Sequence, residues 1–416
     1  MTIRHLYPAV EPSLNLDFAN SKRLDPRITF TRASTGTYTD ESGIIRTAAA
    51  NEARFDHDGD GNSLGLLIEE SRTNLVTYSE DYSQSSWTLD DCTIQSTSVL
   101  TPDGQTALLL RESATTQTHN IRQSPSTSTG TTYTASVFLK KYTRQYAWIG
   151  YVFNSAAGTV AQIDLNTGQI VYSAKIYATD SIQSTSVIPY PNGWYKVTIT
   201  FTNGLVSPNI SVGTADSLWT SGNADGNQFL GDTNEGLYIW GAQLEAGSFP
   251  TSYIPTSGST VTRSADVTSM TGTNFSSWYN QSEGTVFYQG IMPYANVSGY
   301  PSIYRIGVSG QNSNEIDLLR NPGGKRLNIN VHSGGSTVYA VDVNPLPDNY
   351  KVAVGYETDN FNAASSGTLT GLDTSGAAPV GADRFLIDHA NTRHHISRLT
   401  YYPVRLPDAT LQALTL

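Results

Sequence analysis

The stretch Glu235-Gly-Leu-Tyr-Ile-Trp-Gly-Ala-Gln-Leu-Glu245, followed by Ala-Gly-Ser-Phe-Pro-Thr-Ser-Tyr-Ile-Pro255, decides how this chain is organised. Its first half alternates large apolar residues with small or polar ones, which is typical of a strand buried on one face. Its second half carries Gly, Pro and Ser, which end a strand. The residues up to Thr262 have the composition of a linker, and a second strand-rich pattern then runs to the C-terminus. We therefore predict two β-modules joined at this point.

The composition indicates a β-rich protein with more than one domain. The chain has 416 residues, which is too many for one ordinary core. Charged residues make up 15% and hydrophobic residues 38%, and the hydrophobic fraction excludes a disordered chain. The net charge of −11 disfavours nucleic acid and anionic membranes as partners, because both attract a surplus of Lys and Arg.

Signals for export and membrane insertion are missing from the sequence. Residues 1–8 lack the apolar core of a secretory signal. No run of about 18 apolar residues could span a membrane. Cys92 is the single cysteine, so no intrachain disulfide forms. We expect the protein to be made in a cytoplasm and to leave the cell, if it does, by a route such as lysis.

The strand and turn patterns divide the chain into four predicted segments. Residues 1–74 hold short strand candidates and a hairpin at 35–43, interrupted by prolines. This segment cannot bury much of its own surface, so we predict an attachment or assembly segment that lies along the next domain or along another protein. Residues 75–255 predict a jelly roll, residues 256–262 a linker and residues 263–416 a second sandwich.

Both modules show short strands at hairpin spacing, separated by turn signals such as Asn166-Thr-Gly168. The strand candidates of the first module are Thr132–Lys140, Ala147–Phe153, Val160–Asp164, Trp194–Thr202 and Leu237–Leu244. Those of the second are Gly284–Met292, Ser302–Val308, Glu315–Leu319, Arg326–Val331, Val338–Val343, Tyr350–Tyr356, Arg384–Ile387 and His395–Tyr402. One helix is predicted at Leu406–Leu414, with Pro407 in its first turn.

Several motifs resemble a family of phage virion proteins, described as head-spike fibre or tail-fibre-like proteins. Three stretches of this chain resemble the N-terminal region of the proteins in that family: Thr31-Arg-Ala-Ser-Thr-Gly-Thr-Tyr38, Ala48-Ala-Ala-Asn-Glu-Ala-Arg-Phe-Asp56 and Gly65-Leu-Leu-Ile-Glu-Glu-Ser-Arg-Thr-Asn-Leu75. Residues 193–200, 240–245 and 253–255 resemble the carbohydrate-binding-module-like jelly roll of those proteins. Residues 395–406 are similar to the last strand and short helix of laminin-G or concanavalin A-like domains.

The resemblance completes the predicted fold class and implies a role. The chain is expected to be all-β, with an extended N-terminal segment followed by two antiparallel β-sandwiches, a jelly roll and then a concanavalin A-like domain. The resemblance implies a structural protein located on the virion. Its partners would be other virion proteins of the capsid, portal or tail, and host-surface polysaccharide is a candidate ligand.

The run Asp56-His-Asp-Gly-Asp-Gly-Asn62 is a candidate calcium site. Asp56, Asp58 and Asp60 alternate in a Gly-rich turn, and calcium prefers such clustered oxygen ligands. The first six residues fit the EF-hand loop, but Leu67 stands where that loop has its bidentate Glu. A solvated hairpin turn is the alternative.

The segment Glu315-Ile-Asp317-Leu-Leu-Arg320 begins like the strand motif of some glucanases, which continues to a second Glu. Leu319 and Arg320 occupy the places where that Glu would stand. A retaining mechanism needs two carboxyl groups about 5 Å apart, and arginine cannot replace the acid/base. We therefore expect an ordinary strand and no enzymatic activity, and a polysaccharide hydrolase is the less favoured alternative.

Histidines and the cysteine give no catalytic motif. His394 and His395 should point to opposite faces of a strand and so should not share a metal. His389 and one of these two residues would supply only two metal ligands, which is too few for a convincing metal site. We therefore expect these histidines to lie at the surface or at an interface. Acidic neighbours of Cys92 disfavour its thiolate, so we expect a non-catalytic thiol.

Aromatic residues around one hairpin are the candidate carbohydrate site, because sugars are commonly held by an aromatic platform beside polar groups. These residues are Tyr142, Tyr146, Trp148 and Tyr151. Packing in the core or between subunits is the alternative for Tyr146 and Trp148. Trp194 and Trp240 lie in strand motifs, and we predict that they fill the core.

These patterns favour a non-enzymatic spike, fibre or decoration protein of a phage-like particle. A homo-oligomer, plausibly a trimer, is expected because appendages gain avidity from repeated weak sites. A dedicated carbohydrate-binding adhesin is the first alternative. Calcium is the one cofactor for which the sequence offers a candidate site.

Overall fold

The computed structural model describes residues 10–154, 157–175, 181–204, 208–220, 228–292, 299–311, 313–322, 326–343, 349–387 and 393–416. The first part of the chain contains β1 (Leu14–Asp17), α1 (Phe18–Ser21), β2 (Thr29–Thr31), β3 (Gly36–Thr39), β4 (Ile45–Ala48), β5 (Phe55–His57), β6 (Ser63–Glu69) and β7 (Arg72–Asn74). The hairpin of β3 and β4 confirms the predicted one.

The strands of the middle part are β8 (Thr88–Asp90), β9 (Cys92–Leu100), β10 (Thr106–Glu112), β11 (Thr116–Gln117), β12 (Asn120–Gln123), β13 (Thr132–Lys141), β14 (Tyr146–Asn154), β15 (Ala157–Asp164), β16 (Gln169–Lys175), β17 (Ser181–Tyr190), β18 (Trp194–Thr202), β19 (Asn209–Ala215), β20 (Phe229–Leu230) and β21 (Gly236–Ala246). Twelve of them form two six-stranded antiparallel sheets, β17-β18-β13-β21-β10-β9 and β16-β15-β14-β19-β12-β8, and β11 pairs with β20. Inward residues of both sheets, such as Val137, Ile149 and Val212, share one buried core. This is the first sandwich.

The remaining elements are β22 (Val261–Arg263), β23 (Val267–Thr271), α2 (Thr273–Ser276), β24 (Glu283–Ile291), β25 (Ser302–Gly307), β26 (Glu315–Arg320), β27 (Leu327–Ser333), β28 (Ser336–Val343), β29 (Asn349–Glu357), β30 (Asn360–Ser365), β31 (Thr368–Leu369), β32 (Arg384–Ile387), β33 (Arg393–Tyr402) and α3 (Asp408–Thr415). Pro407 caps α3, which packs through Leu411 against Ala353 and Ala364. In the described residues, no helix has the length and apolar content of a membrane span.

The second sandwich takes strands from both ends of the chain. An eight-stranded sheet runs β31-β30-β29-β24-β33-β6-β5, and β1 also pairs with β33. A seven-stranded sheet, which we call the front sheet, runs β2-β23-β32-β25-β26-β27-β28. Leu66 and Ile68 of β6 lie in the same core as Val286 and Ile316. The all-β prediction is therefore confirmed.

The structure corrects the predicted division of the chain at residue 74. The segment 1–74 is not a separate extension, because β1, β5 and β6 complete one sheet of the second sandwich and β2 completes the other. The physical reason is that a strand needs a hydrogen-bonded neighbour, and β33 and β23 supply it. The sequence pattern showed that these strands had to pack on something but did not show on what.

A buried ionic group joins the two sandwiches, and we call it the junction cluster: Arg54, Glu69, Ser252 and Asp266. The guanidinium of Arg54 donates to Glu69 Oε2 at 2.8 Å and to Asp266 Oδ2 at 2.6 Å. It also donates to the hydroxyl of Ser252 at 2.8 Å. The charged side chains of Arg54, Glu69 and Asp266 are completely buried. The N-terminal segment, the exit of the first sandwich and the start of the second are therefore tied at one point.

The electrostatics of this cluster keep the Glu69 carboxylate ionised. Burial alone would raise the pKa of Glu69, but Arg263, Arg54 and Arg393 together hold that pKa well below its usual range. Lys196 lies nearby and donates to the carbonyl of Thr251 at 3.0 Å. Burial lowers the pKa of Lys196 to about 8. Buried charges of both signs thus meet where the sandwiches join.

Candidate functional site

Two members of the predicted aromatic platform are buried. Trp148 and Tyr151 are each 1% exposed. Trp148 packs at 5.8 Å from the ring of Trp219, which covers the outer face of its sheet. Tyr151 faces the core, where its ring lies 4.5 Å from that of Phe201. Neither offers a ring face to a glycan, so the predicted platform is wrong for these two residues.

The other two members lie apart from each other. Tyr142 is 37% exposed, with the guanidinium of Arg111 at 5.3 Å from its ring and Tyr238 in edge contact at 5.5 Å. Tyr146 is half-buried and packs against the Trp148 cluster. Trp194 and Trp240 are buried, but they lie in a cluster with Ile45 and Tyr253 that is separate from the core between the two sheets, so the prediction is confirmed for their burial and is wrong for their place in that core. Of the four residues, only Tyr142 stays open to solvent.

The acidic loop does not bring its three carboxylates together. Asp56 is buried, and it accepts from Thr39 N–H at 2.7 Å and lies 2.8 Å from His395 Nε2. Asp58 accepts from the N–H groups of Asp60 and Asn62 and so stabilises its own turn. In the described ranges, the group of metal-ligand side chains that closes to within 4.8 Å is a different one, Glu315, Asp317 and His332.

The histidines and the cysteine are structural. His394 and His395 are both buried, so the expected surface position is wrong, although His395 meets Asp56 at the junction of the sandwiches. His389 lies outside the described residues. Burial raises the pKa of Cys92 to about 12, and acidic Asp90 adds to this effect. The thiol stays protonated near neutral pH.

A polar group occupies the outer face of the front sheet. Ile316 and Leu318 of β26 enter the core, so the alternate residues Glu315 and Asp317 face outward. They are nevertheless only 3% and 2% exposed. Arg305 of the neighbouring strand lies over them, with its Nε 2.7 Å from Asp317 Oδ1 and 3.2 Å from Glu315 Oε2.

This pair of carboxyl groups holds a proton near neutral pH. Burial, a hydrogen bond with Asp317 and the charge of Asp317 raise the pKa of Glu315 to about 7. Ligand oxygens of the two carboxyl groups lie within 4.8 Å of each other. Arg305, however, already neutralises the group and covers it, so a cation would have to compete with the guanidinium. His332 on β27 pairs with Glu315 and is the third ligand available to a metal.

A cleft of about 780 Å³ opens beside this group on the same face. Antiparallel register places Glu315, Gly307, Arg384 and Thr271 in one row across β26, β25, β32 and β23. Directly paired residues lie on the same face of a sheet, so the row runs from the carboxyl pair into the cleft. The polar lining consists of Ser269, Thr271, Thr273, Ser276, Ser309, Asp383 and Arg384.

The sequence did not predict this cleft. Its residues come from β23, α2, β32 and the turns next to β25 and β32, and no local spacing connects Ser269 with Ser309 or Arg384. The only sequence signal was the alternation in β26, which placed Glu315 and Asp317 on one face. That signal identified the face but not the opening beside it.

Comparison with known proteins gives similarity of shape only. No family model matches the chain, and no curated protein matches it. The CBM40 domain of Ruminococcus gnavus IT-sialidase bound to α2,3-sialyllactose matches with 16% identity and a TM-score of 0.28, covering 33% of this chain and 83% of that one. Mouse laminin α1 domains LG4-5 match with 9% identity and a TM-score of 0.22, covering 71% and 93%.

Trypanosoma rangeli sialidase in complex with sialic acid matches with 10% identity and a TM-score of 0.27, covering 78% of this chain and 62% of that one. At such TM-scores these similarities assign no function to the chain. The virion family that the N-terminal motifs resemble stays a prediction.

Proposed function

We propose that this protein is a non-enzymatic structural component of a phage or phage-like particle that contacts surface glycans through the cleft on its front sheet. The observation that carries the glycan contact is the cleft itself. Its volume of about 780 Å³ lies within the range of about 300–1,000 Å³ that is usual for small-ligand sites. Hydroxyl, carboxylate and guanidinium groups line it, and these can exchange hydrogen bonds with the hydroxyls of a sugar.

The virion placement is supported by the N-terminal motifs around residues 31–75 and by the junction cluster. An appendage must hold its binding face at a fixed distance and angle from the particle. Completely buried ion pairs between Arg54, Glu69 and Asp266 restrict hinge motion between the sandwiches. A homo-oligomer, as a trimer or another closed assembly, belongs to the same proposal, because repeated weak sites raise avidity.

The glycan contact is tested by titrating the full chain with a panel of bacterial surface polysaccharides, using calorimetry. Thr271→Trp places a large ring in the cleft at an exposed position and should abolish binding. Thr93→Trp, also at an exposed strand position but in the first sandwich, is the matched control and should bind normally. Equal binding by both variants would place the glycan elsewhere, and no binding by the wild type would remove the proposal.

The virion placement has its own test. Electron cryomicroscopy of intact particles that carry a tagged copy of this chain should show the tag on an external spike, fibre or decoration. Light scattering of the purified chain gives its oligomeric state independently. A tag found only in the lysate would contradict the placement without affecting the glycan test.

A polysaccharide hydrolase is the second candidate, favoured by the carboxyl pair. Glu315 and Asp317 have oxygens within 4.8 Å, and the pKa of Glu315 is about 7. The ion pair with Arg305 and the deep burial of both carboxyls weigh against direct contact with an anomeric carbon. Incubation with the polysaccharides that bind, followed by a reducing-end assay, decides this. New reducing ends that vanish in Glu315→Gln would establish the hydrolase.

A further inference from the structure

Arg384 has unused hydrogen-bonding capacity in the cleft. Its guanidinium makes two long contacts, from Nη1 to the hydroxyl of Ser309 at 3.4 Å and from Nη2 to the carbonyl of Val308 at 3.5 Å. Its Nε is buried and has no hydrogen-bond partner among the described residues. A guanidinium carries five N–H donors in a rigid planar fork, so most of this capacity is free.

The carboxylates around Arg384 are committed to other groups. Asp383 accepts from the N–H of Ser309 at 2.9 Å. Glu315 and Asp317 are ion-paired with Arg305, and Gly307 separates them from Arg384 in the row across the sheet. The charge of Arg384 acts on Glu315, where it opposes the rise in the pKa, but within the part of the chain that the structure describes no carboxylate forms an ion pair with Arg384, which lines the cleft.

Gly307 has a specific part in this arrangement. A Cβ at this position would lie 2.7 Å from the Cβ of Glu315, so a larger residue would push into the row. Glu315 therefore packs closely against β25, while Arg384 on the other side of Gly307 lines the cleft. The fork and the hydroxyls of Ser269, Thr271 and Ser309 can reach the same bound molecule.

We propose that Arg384 binds the carboxylate of an acidic saccharide of the uronate class, while the surrounding hydroxyls bind the sugar ring. This inference rests on the proposed glycan contact and names the ligand class for that cleft. A carboxylate matches the fork of arginine with two parallel hydrogen bonds, which are stronger and more directional than bonds to neutral hydroxyls. Because the guanidinium of Arg384 has free N–H donors, the cleft should bind an acidic sugar with higher affinity than a neutral one.

The test compares matched ligands on the full wild-type chain. Polygalacturonate, alginate and hyaluronan fragments are titrated beside the same fragments after chemical reduction of their carboxyl groups to alcohols. We expect at least one acidic fragment to bind roughly 10- to 100-fold more tightly than its reduced counterpart, which is the usual range for charge-assisted hydrogen bonds. Equal affinity for acid and alcohol forms would overturn the inference and leave the proposed glycan contact standing.

Three variants complete the test. Arg384→Gln should remove the preference for the acidic form, and Arg384→Lys should weaken it, because an ammonium keeps the charge but loses the fork. Arg398→Gln makes the same change of net charge at a site that contacts Asn15 and Thr400, so it should bind as the wild type does. An equal loss in Arg398→Gln and Arg384→Gln would overturn the inference. Failure of the wild type to bind either form of any glycan would remove both proposals, and the ligand comparison decides the matter even if Arg384→Gln does not fold.

Discussion

The carboxylate of Glu69 accepts two hydrogen bonds from Ser252, one from the backbone N–H at 2.8 Å and one from the hydroxyl at 2.7 Å. Glu69 ends a strand of the second sandwich, and Ser252 lies just after the last strand of the first sandwich. Two segments that are 183 residues apart in the chain are therefore fixed against each other. The exit at residues 247–255, which the sequence predicted as the end of the first module, is part of a buried joint.

Glu69→Gln should lower the free energy of unfolding by about 3–5 kcal/mol, because removing one carboxylate of the buried cluster leaves the charges of Arg54, Arg263 and Arg393 only partly compensated. Chemical denaturation followed by tryptophan fluorescence measures this. Glu41→Gln, which removes the exposed pair with Lys22, is the control and should not move the midpoint. Similar midpoints for the two variants would show that the joint adds little stability.

Trp148→Ala should destabilise the first sandwich by about 3–5 kcal/mol, since the side chain is buried and its removal leaves a cavity. Tyr142→Ala should have little effect on stability, because that ring is partly exposed. Thermal unfolding by calorimetry separates the two variants. If Trp148→Ala unfolds at the wild-type temperature, the packing of Trp219 over this face is wrong.

Glu315→Gln should change how stability depends on pH. Glu315 has a pKa of about 7 in the folded chain against an ordinary value of 4.5, so between these pH values the folded state binds the extra proton. The contribution to stability is fully present below the lower value and is lost as pH rises through the upper one. The melting temperature of the wild type should therefore fall relative to Glu315→Gln from pH 4.5 to 8. A constant difference across this range would contradict the raised pKa.

Lys196→Met should give the opposite slope at alkaline pH. Burial lowers the pKa of Lys196 from 10.5 to about 8, so the unfolded chain binds more protons between these values. Wild-type stability should rise relative to Lys196→Met as pH increases through this window. Melting temperatures of both proteins at closely spaced pH values test this, and the comparison cancels the titration of other groups. Parallel curves would mean that Lys196 titrates normally.

Calcium binding at Asp56, Asp58 and Asp60 can be tested by measuring the melting temperature. Because Asp56 lies at 2.8 Å from His395 and Asp58 caps its own turn, we expect chelator and added calcium to leave the melting temperature unchanged. Asp60→Ala should behave as the wild type in both conditions. A rise in melting temperature with calcium that Asp60→Ala abolishes would restore the metal site.

Strands were predictable from the sequence where alternation and turn signals agreed. Trp194–Thr202 and Arg384–Ile387 have the predicted bounds, and Trp240 is buried as its motif indicated. Strand pairing was not predictable, because alternation shows which face is buried but not which strand is the neighbour. This is why the N-terminal strands were assigned to an attachment segment.

Exposure of individual side chains depended on distant segments. Tyr146 and Trp148 share the outer face of their sheet, but Trp219 from a later segment covers that face. Likewise, alternation placed Glu315 and Asp317 on one face, whereas the ion pair with Arg305 required the register between two strands. Local patterns thus located faces, and long-range packing decided which residues stayed open.

The pairing of Leu14 with Tyr401 also sets an order of events during synthesis. At a translation rate of roughly 5–20 residues per second, the first strand leaves the ribosome tens of seconds before its partner exists. The first sandwich can fold in that interval, whereas the backbone N–H and C=O groups of β1 and β6 that pair with β33 still lack their partners. A ribosome that stops before β33 releases a chain whose second sandwich cannot close, because β33 pairs with β1, β6 and β24.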